Sequence, residues 1–193
     1  MQKPSLLTAL TLGMTLLLGA CSSQPQQVQL NPQVELNTTQ QVNSIIAIRS
    51  QDLRSNRFLI SIHQQDQEQA ELIASANNLR QSIEQQLSQA WQQQGLGVVA
   101  DAPQRITIDI LELASRVDES SVKYQASSTI RISVTVDTPS QTLAKQFRSN
   151  HSHEGAFSVN VNKQAEVMSK QLSQLLSEIA SDPQLLAVLE NQQ

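Results

Sequence analysis

Several residue types that support particular functions are scarce in this chain. Its 193 residues include one cysteine, five glycines and only 3% aromatic residues. A single cysteine excludes an internal disulfide, and so few glycines leave no glycine-rich loop for a phosphate group. Few aromatic side chains and a net charge of −4 argue against a nucleic-acid partner. Motifs of nucleophilic or paired-carboxylate enzymes are also missing, so we predict no catalysis and no cofactor.

The chain also lacks an apolar run that could span a membrane. Its longest run covers residues 6–18, about a dozen residues, whereas a spanning helix needs about 20. Lys3 precedes the run, and Gly19, Ala20 and Cys21 follow it, which is typical of a secretory signal and its cleavage site. We predict a signal peptide over residues 1–20. Its removal takes away Lys3 and no acidic residue, so the net charge changes from −4 to −5.

The residues around the only cysteine resemble a known processing signal. Leu18-Gly19-Ala20-Cys21 resembles the lipobox of bacterial lipoproteins. That resemblance implies a diacylglyceryl group on the Cys21 sulfur, cleavage before it and acylation of the new amino group. Inner-membrane lipoproteins of this class usually have aspartate directly after the cysteine, whereas this chain has Ser22. The resemblance therefore also implies an outer-membrane location facing the periplasm. The alternative is an ordinary secreted protein whose cysteine merely lies near the cleavage site.

Composition divides the rest of the chain into a tether and one domain. Residues 22–41 are rich in Gln, Ser, Asn and Pro with isolated apolar residues, so we predict a lipidated N-terminus and flexible tether over residues 21–41. Val34 and Leu36 alternate with polar neighbours and would allow a short edge strand. Residues 42–193 are predicted to form a single domain.

Two patterns of apolar spacing predict the elements of that domain. Helical spacing occurs over residues 75–94, with Trp91 on the apolar stripe and Gly95 as its end, and over residues 161–180. A short third helix begins after Asp182, the predicted N-cap. An unbroken apolar run within residues 42–49 predicts a strand buried on both faces. Apolar alternation predicts strands near residues 58–63, 106–113, 122–136 and 143–153, with a bulge near Leu111. These elements predict an α+β fold: a two-layer sandwich with a mainly antiparallel sheet, a long-stranded meander and two amphipathic helices on one face.

The order of these features resembles the YajG family of bacterial lipoproteins. The resemblance is carried by Cys21, Asp52-Leu53-Arg54, Gly95, Val122-Lys123-Tyr124 and Glu154-Gly155-Ala156-Phe157. It implies an envelope lipoprotein without an assigned activity, and therefore supplies no catalytic residues.

Few residues outside Cys21 are candidates for a site. Asp52 and Arg54, in the loop after the first strand, are either a ligand contact or a structural ion pair, and Glu154 is a further binding candidate. His151 and His153, two residues apart on a strand, have a spacing that allows metal binding. We predict no metal site there and expect both rings on the wet side of the sheet.

The most specific segment of the family resemblance is predicted to be structural. We expect Gly155 to adopt a backbone conformation that other residues avoid. We expect Phe157 to anchor the connection between strand and helix in the core.

Three functions remain open on the sequence alone. The first is a non-enzymatic accessory lipoprotein, held to the membrane by acyl chains on Cys21, that binds an envelope protein, lipid or glycan. The second is a hydrolase with a site built from Asp52, Arg54 and Glu154, which requires these side chains to converge. The third is a lipid carrier with an apolar cavity between helices and sheet, which the small residues Ala90 and Ala165 would permit.

Overall fold

The computed structural model describes residues 26–36 and 41–190 of the chain. The predicted signal peptide and the lipidation candidate Cys21 lie outside these residues. Eight strands and three helices form in the described part: β1 Gln27–Val28, β2 Ile45–Asp52, β3 Phe58–Gln64, β4 Glu71–Ser75, α1 Leu79–Gln93, β5 Gly97–Val98, β6 Gln104–Glu119, β7 Lys123–Asp137, β8 Thr142–Ala156, α2 Val161–Ala180 and α3 Pro183–Glu190. Within that part, no helix is both long and apolar enough to cross a membrane.

Strand β6 organises a single curled, open sheet. One of its edges pairs antiparallel with β7, and β7 pairs antiparallel with β8, which forms the predicted meander. The other edge pairs in parallel with β2 over its first half and with β3 over its second half. The register shifts between Ile110 and Glu112, which confirms the bulge predicted near Leu111.

The sheet is mixed, so the prediction of a mainly antiparallel sheet is wrong. Parallel pairs join β1 to β4, β2 to β5, β2 to β6 and β3 to β6. The apolar run Ile45–Ile48 indicated a buried strand but carried no information about its partner, which lies more than 50 residues further along the chain. The α+β class is confirmed, whereas the two-layer sandwich stays a prediction.

The helices begin and end where local side chains satisfy the backbone. The Asn78 side chain accepts from the Gln81 N–H at the start of α1. Gly95, with φ +92°, ends α1 in the left-handed region as predicted. Asp182 accepts from the Leu185 N–H at 3.0 Å and caps α3, also as predicted.

One continuous core lies between the helices and the sheet. Trp91 of α1 and Met168 of α2 are buried in it, and the alternating residues of β6 and β7 supply its sheet side. Trp91 is therefore a core residue, as its position on the apolar stripe predicted.

The segment 26–36 belongs to this domain, although it was expected to be part of a flexible tether. Val28, Leu30 and Pro32 are buried, and β1 pairs with β4. The backbone N–H groups of Asn31, Gln33 and Glu35 donate to the hydroxyls of Ser169, Ser173 and Ser177 on α2, at 3.2, 2.9 and 3.0 Å. Alternate residues of an extended segment and every fourth residue of a helix advance by nearly the same distance, about 6–7 Å, so the two rows match.

Candidate functional site

Asp52 and Arg54 lie where the two parallel partners of β6 separate. β2 pairs with β6 as far as Asp52–Ile110, and β3 takes over at Ile60–Ser115. The Arg54 guanidinium donates to both carboxylate oxygens of Asp52, each at 2.9 Å, and makes a long contact of 3.5 Å with the Leu113 carbonyl. The cluster therefore fills the gap between β2 and β3 with charge-assisted hydrogen bonds.

Burial and charge indicate that this pair is structural. The side chains of Arg54 and Asp52 are only 6% and 11% exposed. Hydrogen bonds from Arg54 hold the pKa of the Asp52 carboxyl below its usual value, against the opposing effect of burial. The exposed Arg57 adds a second contact to Asp52, at 2.7 Å. A carboxylate already occupied by two guanidinium groups has little capacity left for a ligand.

Glu154 does not approach this pair. It lies opposite Gln125 on β7, and its carboxylate is 3.7 Å from the Lys123 ammonium on the exposed side. Across the sheet, Asp52 pairs with Ile110, Ile110 with Ile132 and Ile132 with Phe147 of β8. Glu154 is seven residues beyond Phe147 on β8, or about 24 Å along the strand. Asp52 and Arg54 are in contact, but Glu154 lies far along the sheet from them, so the three side chains do not converge on one hydrolase site.

The histidine pair lies on the side of β8 opposite to the one expected. His151 and His153 share the helix-facing side with the buried Phe147, because that side holds alternate residues of an unbroken register. The expected face is therefore wrong for both histidines, because the period of two continues along the strand. His151 is nevertheless exposed and His153 is half-buried, since the core does not cover this part of β8. Their ring centroids are 5.6 Å apart, and the ring of Tyr124 meets His153 edge-on at 5.9 Å.

The electrostatics of the pair do not favour a metal ion. Burial, and secondarily the neighbouring His151, lowers the pKa of His153. Over residues 26–36 and 41–190, no group of three or more His, Cys, Asp or Glu side chains is placed to hold a metal. Two rings alone leave a tetrahedral site half filled.

Gly155 is required for a reason other than the one predicted. Its φ is not positive, so the expectation of a special backbone conformation is wrong. It lies opposite Tyr124 in the β7–β8 register, and a Cβ at Gly155 would come within 2.6 Å of the tyrosine ring. The absence of a side chain at Gly155 therefore makes room for the Tyr124 ring, which contacts the ring of His153 edge-on.

Phe157 carries the unusual backbone conformation instead. Its φ is +62°, and no other non-glycine residue of the described part has a positive φ. Its side chain is 70% exposed, so the expectation that it anchors the core is wrong. Its N–H donates to the Val122 carbonyl at 3.0 Å, and Val122 is 69% exposed. Two exposed apolar residues are therefore joined by a backbone hydrogen bond beside the β6–β7 turn.

Sequence reasoning missed this exposed pair because composition places Phe and Val inside by default. One available signal was position: Val122 directly follows the polar turn 118–121, and Phe157 directly follows a long strand. The row formed by Ser169, Ser173 and Ser177 was also missed, although its spacing of four residues is visible in the sequence.

A cleft of about 780 Å³ lies between the segment 31–35 and α2. Its lining is polar and charged, including Asn31, Gln33, Lys170, Gln174 and Glu178. An acyl chain would need an apolar lining. Ala90 is buried in the core, and Ala165 lines a neighbouring cleft whose other residues are mostly polar, such as Asn31, Asn162 and Glu166. This cleft does not favour a lipid carrier.

The outer edge of β8 is the largest regular feature that the described residues leave without a partner. β8 has 15 residues and pairs only with β7 among the described strands. Its register with β7 is unbroken, and Thr142–Ala156 contains no proline. Edge strands are often protected by proline, bulges, shortness or charged side chains. β8 lacks the first three, and its charged residues are Lys145, Arg148 and Glu154.

Sequence comparison identifies the family. A family model described as an uncharacterized lipoprotein, Lipoprotein_16, matches residues 32–190. The chain belongs to this family. The resemblance to YajG-type lipoproteins is therefore confirmed. No curated protein matches the chain.

Solved structures with a similar fold have low sequence identity to this chain. Protein XCC0632 from Xanthomonas campestris, of the DUF330 family, is 11% identical and has a TM-score of 0.54, with 86% of this chain and 98% of that chain covered. A neuraminyllactose-binding hemagglutinin homologue from Helicobacter pylori is 13% identical and has a TM-score of 0.45, with 79% and 94% covered. The first similarity concerns the fold alone, and the second is too weak to carry an argument.

Proposed function

We propose that this protein is a non-enzymatic lipoprotein, anchored by acyl chains on Cys21 in the outer membrane, whose periplasmic domain binds an envelope protein by strand addition to β8. Membership of a lipoprotein family supports the anchor, and Ser22 after the cysteine supports the outer membrane. The separation of Asp52 and Arg54 from Glu154 argues against the hydrolase. The cleft beside α2 is an open groove between polar and charged residues and not an enclosed apolar cavity, which argues against the lipid carrier.

The observation that carries the binding function is the open edge of β8. An extended segment of a partner that pairs with such an edge gains a row of main-chain hydrogen bonds. The side chains of β8 on the wet face offer little resistance to it, since Arg148 and Glu154 are its only charged members and have opposite signs. The partner chemistry expected is therefore an extended polypeptide strand.

A pair of photo-crosslinking positions tests this binding mode in living cells. Asn150 on β8 and Thr129 on β7 are directly opposite each other on the same face. A strand added to β8 would lie about 5 Å from β8 and about 10 Å from β7. We therefore expect a defined adduct from a photoreactive residue at position 150 and a several-fold weaker one from position 129.

Other outcomes contradict distinct parts of the proposal. Equal adducts from both positions would mean that the partner covers the face of the sheet instead of the edge. No adduct from either position would contradict the binding function. Recovery of a Cys21→Ala variant in the membrane fraction, with normal processing, would contradict the lipid anchor.

A further inference from the structure

The described chain begins at the end of the domain where Val122 and Phe157 project. β1 runs parallel to β4, and Gln27 pairs with Ala74. Followed backwards from Gln27, the chain therefore leads in the direction of Glu71, the first residue of β4. Through Ile62 of β3, this level reaches Val117 of β6, two residues before Glu119, which pairs with Tyr124. The N-terminal direction of the chain therefore points to the β6–β7 turn.

A shared cleft confirms the proximity. Gln26 lines it together with Glu119 of β6 and with Ser158, Val159 and Asn160 of the connection before α2. The Val159 N–H donates to the Glu119 carboxylate at 2.7 Å, which ties that connection to the same end of the sheet. Phe157 directly precedes this connection. We call the surface formed by Val122, Phe157 and the adjoining β6–β7 turn the anchor end.

Chain length places the anchor end near lipid. Cys21 is five residues before Gln26, and five residues span at most about 18 Å when fully extended. Val99 is an exposed apolar residue at the other end of the sheet. Its N–H donates to the carbonyl of Ile46, which pairs with Gln104, the first residue of β6. The length of β6 separates the two ends by about 50 Å. An anchor at Cys21 therefore holds only the anchor end close to the bilayer.

We infer that Val122 and Phe157 insert into the lipid interface, so that the anchor end faces the membrane surface. This inference rests on the proposed lipid anchor at Cys21. Two apolar side chains hold a free protein on a bilayer only weakly, but a short tether keeps their local concentration at the surface high. The nearby loop after β3 carries Asp66 and Glu68, whereas Lys123 follows Val122, so charge at this end does not by itself attract an anionic surface. The proposed contact rests on the two apolar side chains.

The backbone of Phe157 supports the same assignment. A bulky side chain with positive φ is disfavoured, and an exposed one returns little stability through packing. Contact with lipid would give the side chain an apolar surrounding that the folded domain does not provide.

Single labels on the lipidated full-length protein test the orientation. Acylation occupies the sulfur of Cys21, so a cysteine introduced by Phe157→Cys or, as control, Val99→Cys is the only free thiol. Each variant is labelled with a nitroxide and reconstituted in phosphatidylethanolamine–phosphatidylglycerol vesicles. We expect the ratio of collisions with oxygen to those with a water-soluble nickel complex to be several-fold higher at position 157 than at position 99.

The outcomes separate the orientation from the anchor. If both labelled variants float with the vesicles but show the same low ratio of oxygen to nickel collisions, the lipid anchor is supported and the insertion of Val122 and Phe157 is contradicted. A label at position 157 that is shielded from both reagents would indicate contact between copies and would also overturn lipid insertion. If the protein does not float with vesicles, the anchor itself fails and the orientation fails with it.

Discussion

Single residues in this domain have roles set by their neighbours more than by their type. Gly155 and Phe157 are two residues apart, yet the glycine has an ordinary extended backbone and the phenylalanine has the left-handed one. The glycine gives space to Tyr124, whereas the phenylalanine is exposed beside Val122. Because the conformation of Phe157 is costly and its packing is slight, it contributes less to stability than its size implies.

Replacement of Phe157 by glycine is expected to stabilise the domain. A left-handed conformation costs a bulky residue about 1–2 kcal/mol, which exceeds the entropic cost of glycine. In a Cys21→Ala background, Phe157→Gly should raise the free energy of unfolding by about 0.5–1 kcal/mol in urea denaturation. Val122→Gly is the control and should give no gain, because Val122 has no positive φ. A clear loss of stability in Phe157→Gly would mean that its ring packs on the domain in solution.

At the scale of elements, an extended segment is attached to a helix by a row of serines. Each hydroxyl of Ser169, Ser173 and Ser177 donates to the carbonyl four residues earlier on α2, at 2.8–2.9 Å. The same oxygens accept from N–H groups of the segment 31–35. The helix thus gives this segment acceptors that a neighbouring strand would otherwise supply.

Removal of the three hydroxyls should loosen this segment with a smaller effect on the whole domain. In the triple variant Ser169→Ala, Ser173→Ala and Ser177→Ala, each lost hydrogen bond costs about 1 kcal/mol, while each alanine regains about 0.5 kcal/mol of helix propensity. Global stability should therefore fall by about 1–2 kcal/mol. The amides of Asn31, Gln33 and Glu35 should exchange with solvent at least tenfold faster, as measured by hydrogen exchange.

A control with the same spacing separates the serine row from the helix surface. The triple variant Glu166→Ala, Lys170→Ala and Gln174→Ala alters exposed positions of α2 and should leave those three amides protected. Equal exchange rates in both triple variants would show that burial of Leu30 and Pro32, and not the serines, holds the segment.

At the scale of the whole molecule, one end of the domain faces the anchor and one edge of the sheet stays open. The anchor end lies at the β6–β7 turn, and β8 runs from the opposite end of the sheet back towards that turn. A domain held by this end would present the length of β8 away from the bilayer. The proposed lipid contact and the proposed protein contact therefore use different surfaces and are compatible.

Stability of the whole domain is expected to depend on pH through His153. Its pKa is lowered in the folded protein, chiefly by burial, whereas in the unfolded chain it is near 6.5. The unfolded state therefore binds more protons below about pH 6.5, and stability falls as the pH drops through that value. Thermal unfolding between pH 7.5 and 5.5 should show a smaller loss in His153→Gln than in the unaltered domain. Identical pH dependence would rule out His153 as a source of the effect.

The amino-acid sequence by itself determined the elements and the class of the protein. Periods of two and 3.6 residues depend only on local backbone geometry, so the meander, the helices, the bulge near Leu111 and the Asp182 cap could be predicted. The lipobox resemblance and the family match are also properties of the sequence, although Cys21 lies outside the described residues.

Only the tertiary structure decided which strands pair and which apolar residues stay outside. β2 and β3 share one edge of β6, a choice between distant segments that no local period specifies. The same applies to Asp52 and Arg54, whose role depends on the gap between those strands, and to the segment 26–36, whose serine partners are about 140 residues away. The exposure of Val122 and Phe157, at the open end of the β7–β8 pair, is likewise a tertiary outcome, because their residue types favour burial.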